Sequence, residues 1–245
     1  EKIGSGIPLS DKEKKEVLTT ALDKWIAGMM EATEGKVKAW DVVNEALSGA
    51  DTDGDGKYDL QSATRGTALE ADIPNSFYWQ DYLGDLDYVR TAVASARKHF
   101  EENGGNPEEL KLFINDYNLE SDWDQNGKLK SLIQWIKDWE ADGVTKIDGI
   151  GSQMHISCYG NPQTQESKKN AIVNMLKLMA DSRKLVRISE LDMAYVDETG
   201  KSVNTNDMTE EQHKQMRELY EFVIKKYFEI IPEAQQWGIC QWCPT

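Results

Sequence analysis

Apolar and polar positions follow two rhythms along the chain. Short apolar, β-rich runs occupy residues 37–43, 111–115, 147–155, 186–191 and 238–242, and their length predicts strands. Longer stretches with one apolar face occupy residues 11–30, 87–102, 128–141, 167–182 and 209–228, and these predict amphipathic helices. Ser10 followed by Glu13 gives the first helix a capping-box start. Strand and helix alternating at this spacing predict a parallel sheet. The connection from residue 46 to 84 is the obvious irregular region.

Polar and aromatic residues gather where the predicted strands end: Asn44 and Glu45, then Asp116, Tyr117 and Asn118, then Gln153 and His155, then Glu190 and Asp192, and finally Trp242. Chemistry at the C-terminal ends of parallel strands is the arrangement of a (β/α)8 barrel. A doubly wound sheet would want a glycine-rich phosphate loop after a strand, and neither the GxGxxG nor the Walker pattern occurs. A closed barrel needs eight strands and only five are predicted. The expectation is therefore an α/β chain forming part of a TIM barrel, about strands 4 to 8, with residues 1–245 as a portion of one domain.

Composition narrows the chemistry. With 39% hydrophobic and 29% charged residues the chain reads as globular, and no apolar run approaches the length of a membrane span. A net charge of −15 repels nucleic acid and anionic membranes but suits a neutral substrate. Eight tryptophans include enough aromatic surface to face sugar rings, although most such residues fill cores. The chain begins at Glu1 without a methionine, which suggests processing or trimming. Cys240 and Cys243 form a CxxC, but in a strand-like run residues three apart point to opposite faces, so buried free thiols are expected there and at Cys158. The run Asp51-Thr52-Asp53-Gly54-Asp55-Gly56 looks like the first half of a calcium loop. Its twelfth position would be Ser62 rather than a bidentate Glu, and Asp-Gly repeats also make ordinary turns.

Glu45 and Glu190 stand out among 43 acidic residues because both follow apolar runs and both are expected to be partly desolvated at a strand end. Five stretches around them resemble glycoside hydrolase family 10. WDVVNEA at residues 40–46 resembles its acid/base strand, and LFINDYN at 112–118 the strand that follows. IDGIGSQMH at 147–155 resembles the next, ISELDM at 188–193 the nucleophile strand with Ser189 in place of threonine, and residues 237–242 the last. All five occur in the family's order and cover nearly the whole chain. The family's earlier strands, with the Lys, Asn and Glu set of subsite −2, have no counterpart before Asp11.

The resemblance implies an endo-β-1,4-xylanase that cleaves the xylan or arabinoxylan backbone by double displacement with retention. Glu45 matches the general acid/base and must start protonated; Glu190 matches the nucleophile and must start ionised. Asn44 matches the asparagine bonding the sugar 2-hydroxyl at subsite −1, and Gln153 a residue near that sugar. His155 matches the histidine that hydrogen-bonds the nucleophile, and Asp192 the aspartate that holds it. Asn115 and Tyr117 match the aglycone-side wall, and Trp242 the tryptophan closing subsite −1. The period of a strand independently puts Glu190 with Asp192, and Gln153 with His155, on common faces. No cofactor or metal is implied. The implied partners are xylan and xylo-oligosaccharides, without nucleic acid or membrane insertion, together with the N-terminal half of the barrel and the carbohydrate-binding modules that some members insert in it. A polymeric substrate implies a secreted, periplasmic or cell-surface protein. The competing readings are a retaining β-1,4-glucanase and a non-catalytic xylan-binding barrel fragment.

Overall fold

The computed structural model describes residues 8–68, 70–71 and 73–243. In chain order its main elements are α1 (Asp11–Thr33), β1 (Ala39–Asn44), α2 (Gln80–Leu83), α3 (Asp85–Glu102), β2 (Lys111–Asp116), α4 (Gly127–Glu140), β3 (Gly149–Ser152), β4 (His155–Tyr159), α5 (Pro162–Asp181), β5 (Leu185–Val196), β6 (Ser202–Val203), α6 (Glu210–Ile230) and β7 (Gln236–Gln241). They form two compact units. The first holds the residues up to 113 with 134–147, and the second holds 114–133 with the residues from 148 onward.

In the first unit α1 begins where the sequence predicts. Ser10 Oγ accepts the Glu13 N–H, and Glu13 returns the bond to the Ser10 main chain. The helix ends in left-handed Glu34 and Gly35, and a Cβ on Gly35 would lie 2.4 Å from the Gly105 nitrogen, so the close approach of two loops requires glycine there. Leu22 and Met30 of α1 and Val89, Ala92, Val93, Ala96 and Phe100 of α3 are buried. Asp23 joins the two helices, accepting from Ser95 Oγ at 2.7 Å and facing His99 Nε2 at 3.0 Å. The guanidinium of Arg90 donates to the Asp138 and Trp139 carbonyls, satisfying acceptors in the last turn of α4.

The second unit is built around β5. β3 pairs in parallel with its first part (Gly149 with Leu185 through Ser152 with Ile188), and β4 with its second part (His155 with Asp192 through Tyr159 with Val196). β7 also runs parallel to β5, and β6 antiparallel to its end. β2 lies next to β3 in strand order. The core beneath is Ile150, Met154, Ile172, Met175, Leu176, Met179, Val186, Ile188, Leu219 and Val223, all buried. Tyr227 of α6 is buried among them; its hydroxyl donates to the Val186 carbonyl at 2.8 Å and accepts the Gly238 N–H at 3.0 Å, tying β5 to β7. Among the described residues no helix is long and apolar enough to cross a membrane.

Three expectations change. The strand predicted over 186–191 runs as β5 from Leu185 to Val196, so Glu190 and Asp192 lie within it rather than at its end. The strand predicted over 147–155 is two strands, β3 and β4, because Met154 adopts φ +61 and turns the chain between them. The helix predicted from 167 begins at Pro162, since Asn161 caps it by accepting the Gln163 and Thr164 N–H groups and proline suits its first turn.

Candidate active site

Three strands end in left-handed residues that are not glycine. Glu45 follows β1 with φ +56, Asn118 lies two residues past β2 with φ +58, and Met154 follows β3 with φ +61. Such a conformation costs on the order of 1 kcal/mol or more and gathers at functional sites. Each turns the chain sharply just where the sequence places its candidate residues.

Asn44 and Glu45 belong to the first unit, and both side chains are exposed. The expected desolvation of Glu45 is not found: Glu45 follows the strand as an exposed residue between buried Val43 and buried Ala46. Its carboxylate accepts from the Asn44 amide at 3.5 Å, and its main-chain carbonyl accepts from Gln61 Nε2 at 2.7 Å. That bond belongs to a hairpin inside the irregular 46–84 region. Leu47 bridges Leu60, the Ser48 N–H donates to the Asp59 carbonyl, and the Gln61 N–H donates to the Ala46 carbonyl. At the hairpin tip Asp51, Asp53 and Asp55 bring carboxylate oxygens within 4.8 Å of one another. The Asp51 oxygens accept the N–H groups of Gly54, Asp55 and Gly56, the bonding of an ordinary turn. Ser62 is buried and donates to Asp81.

The second unit holds the other candidates: Asn115, Tyr117, Gln153, His155, Glu190, Asp192 and Trp242. Glu190 sits at a bulge. The pairing of β5 with β7 shifts register between Ile188 and Leu191, and irregularities of this kind re-aim side chains beside active sites. The Glu190 N–H donates to the Gln153 carbonyl and the Gln153 N–H to the Asp116 carbonyl, so the middle of β5 is laced to the residue after β3 and to the end of β2. The Glu190 side chain is 18% exposed. Asn115 Nδ2 donates to its Oε1 at 2.9 Å, and His155 Nε2 lies 3.3 Å from its Oε2. His155 Nδ1 lies 2.8 Å from Asp192 Oδ1. Burial works to lower the His155 pKa, but the hydrogen bond to Asp192 and the charges of Asp192 and Glu190 outweigh it, so the ring titrates above its ordinary value. A protonated ring can donate to both carboxylates at once. Trp242 is half exposed and meets the His155 ring edge-on, with centroids 6.1 Å apart.

Asn115 departs from its expected place on a substrate wall. It is 1% exposed, donates to Glu190 and accepts from Ser189 Oγ at 2.7 Å. A Cβ on Gly151 would come within 2.3 Å of Asn115 Oδ1, so the glycine makes room for it. Tyr117 is half-buried, with Lys128 Nζ 3.4 Å from its ring centroid. Lys128 is itself buried and ion-paired with Asp116 at 2.8 Å. Cys158 is buried as expected, while Cys240 and Cys243 are exposed, and all three are free thiols.

The profile of glycosyl hydrolase family 10 matches residues 7–243. The chain belongs to that family. It is 29% identical over 230 residues to the endo-β-1,4-xylanase Xyn10C of Cellvibrio japonicus, covering 92% of this chain and 32% of the relative. Endo-1,4-β-xylanase A of Thermotoga maritima is 30% identical over 230 residues, covering 92% and 18%. Among solved structures, the endo-1,4-β-xylanase of Caldicellulosiruptor owensensis superposes with a TM-score of 0.68 at 25% identity, covering 97% of this chain and 59% of that one. A mutant solved in complex with xylotriose superposes at 0.65 with 25% identity, covering 93% and 58%. The chain thus spans roughly a fifth to three-fifths of the family 10 proteins it matches. The fold is the family's parallel α/β arrangement.

Family membership explains the strand-end clustering, but the motifs do not disclose every contact that supports the site. Ser189 reads in the sequence only as a variant of the family's threonine; in the structure it orients Asn115. Lys128 under Tyr117 gives no signal in the sequence beyond a charge on a helix predicted to be amphipathic.

Proposed function

We propose that the protein is the C-terminal portion of an endo-β-1,4-xylanase barrel that hydrolyses the xylan or arabinoxylan backbone with retention. The observation that carries this reading is the bonding of Glu190: Asn115 on one oxygen, His155 on the other, and Asp192 behind His155. These donors favour the ionised carboxylate that a nucleophile needs. The Glu190 carboxylate attacks the anomeric carbon while Glu45 protonates the departing oxygen. Glu45 then takes a proton from water, which attacks the same carbon and frees Glu190. The reaction requires the two carboxyl groups about 5–5.5 Å apart. In this reading Asn44, Gln153, Tyr117 and Trp242 contact sugar, and Asn115, His155 and Asp192 support the nucleophile. A polymeric substrate places such an enzyme outside the cytoplasm.

Reducing-sugar release from arabinoxylan by the purified chain tests this, with Glu190→Ala as control and the anomer of the first product read by NMR. Release of the β-anomer that vanishes in the variant supports the reading. Release that survives in the variant, or an α-anomer first, overturns it. Coverage of only part of each relative favours a second reading for the chain by itself, a xylan-binding barrel fragment. Binding of xylan without turnover identifies that case.

A further inference from the structure

Behind His155 lies a cavity of about 160 Å³ lined by Asn118, Glu120, Trp123, His155, Tyr159, Gln165 and Lys168, among others. Glu120 is buried, and its Oε2 has no hydrogen-bond partner. Gln165, which accepts the Tyr159 N–H through its Oε1, has its Nε2 buried and likewise unpartnered. Buried polar atoms without partners are costly, and one on a functional wall calls for a reason.

The cations around Glu120 are unequal. Lys128 of α4 is committed to Asp116 at 2.8 Å and stands over Tyr117. Lys168 of α5 is committed to Asp122 at 2.5 Å. His155 is the remaining cation whose charge Glu120 feels, and its ring is held above its ordinary value. Its own carboxylate neighbours are Glu190 and Asp192. Burial pushes the Glu120 carboxyl up to about 7, against the pull of its own main-chain N–H, Lys128, Lys168 and His155.

We propose that Glu120 is a positioning residue that sets the protonation of His155 from across this cavity, and through it the hydrogen bond that holds Glu190. The consequence for hydrolysis rests on the xylanase reading; the link between Glu120 and His155 does not. An ionised Glu120 favours the imidazolium, which donates to Glu190 and Asp192 together. Removing the carboxylate lets the ring lose its proton earlier as pH rises.

The chain has three histidines, His99, His155 and His213, so their ring protons can be followed individually by NMR titration of the full chain. In Glu120→Gln the midpoint of His155 is expected to fall by about half a pH unit or more while the other two stay in place. Glu120→Leu removes the charge without adding an amide and is expected to give the same fall. An unmoved His155 midpoint in both variants overturns the proposal, as does a parallel shift of all three histidines, which would report a general rearrangement. With arabinoxylan, the alkaline limb of kcat/KM is expected to move to lower pH in step with the NMR midpoint, with KM unchanged. A His155 shift in a chain that releases no sugar at any pH would sustain the link and remove the xylanase reading instead.

Discussion

The two candidate carboxylates are held in opposite ways. Glu190 lies at a bulge, mostly covered, with both oxygens engaged and a second layer of Ser189, Asp192 and Trp242 behind its partners. Glu45 is exposed, its main chain pinned by Gln61 while its carboxylate lies 3.5 Å from the Asn44 amide. The contrast suits the roles proposed for them. A nucleophile gains from one fixed, ionised state. An acid/base must give up a proton and take one back, so it needs a secured backbone but a carboxyl that solvent and the leaving group can reach.

Activity should show the largest effect. Glu190→Ala is expected to lower kcat on arabinoxylan by roughly 10⁴-fold or more. Glu45→Ala is expected to lose about 10²–10⁴-fold on the polymer and much less on an aryl xyloside whose leaving group departs without protonation. Equal losses on both substrates would break the assignment of roles.

A second test is the response of stability to pH. The Glu120 carboxyl in the folded chain titrates near 7 rather than at its ordinary 4.5, so the folded state binds the extra proton between these values. Stability contributed by the neutral carboxyl is therefore present below about pH 4.5 and is lost as pH rises to about 7, a change on the order of 3 kcal/mol. His155 adds a loss of the same sign, since its raised value means that its contribution fades as pH rises through the folded midpoint. Denaturant melts at pH 5 and pH 8 are expected to show the drop, and Glu120→Gln to remove most of it.

Next in size is the asparagine pair. Asn115→Ala should cost about 1–3 kcal/mol, because the substitution strips a buried carboxylate of a donor and leaves Ser189 without its acceptor. Asn44→Ala, on the exposed side, should stay within about 0.5 kcal/mol. Comparable losses at the two sites in urea melts would erase the contrast between the carboxylates. A loss between these two is expected at Gln61→Ala, which loosens the Glu45 main chain: about 0.5–1.5 kcal/mol of stability, read by the same melts.

Much of this was legible before the structure. The motifs at Asn44–Glu45 and Asp116–Asn118 fall at or just past a strand terminus, because apolar runs stop where the chain leaves the core; Glu190 and Asp192 instead lie inside β5, which runs on to Val196. Period-two reasoning carries less of the site than expected. It assumes an unbroken strand, and both decisive places are broken, at Met154 by a left-handed residue and at Ser189–Glu190 by a register shift. His155 meets Glu190 and Asp192 through these irregularities, which depend on which strands are neighbours and not on local composition. Asn115 illustrates a related limit: a polar residue at the end of an apolar run can face inward if a neighbouring strand offers a glycine, and Gly151 lies on another strand. The partnerless Glu120 gives no sequence signal, since in the linear chain it is one acid among many.

The central place of β5 also has a consequence for the order of events during synthesis. β3 and β4 emerge first, and each finds its partner on a strand made only after α5 is complete. Until β5 leaves the ribosome, β3 has β2 beside it and one open side, and β4 lacks the strand that it pairs with. Open edges of this kind recruit other chains. A chain halted between α5 and β5 is thus expected to be aggregation-prone, and β5 in turn keeps an open side until β7 follows it.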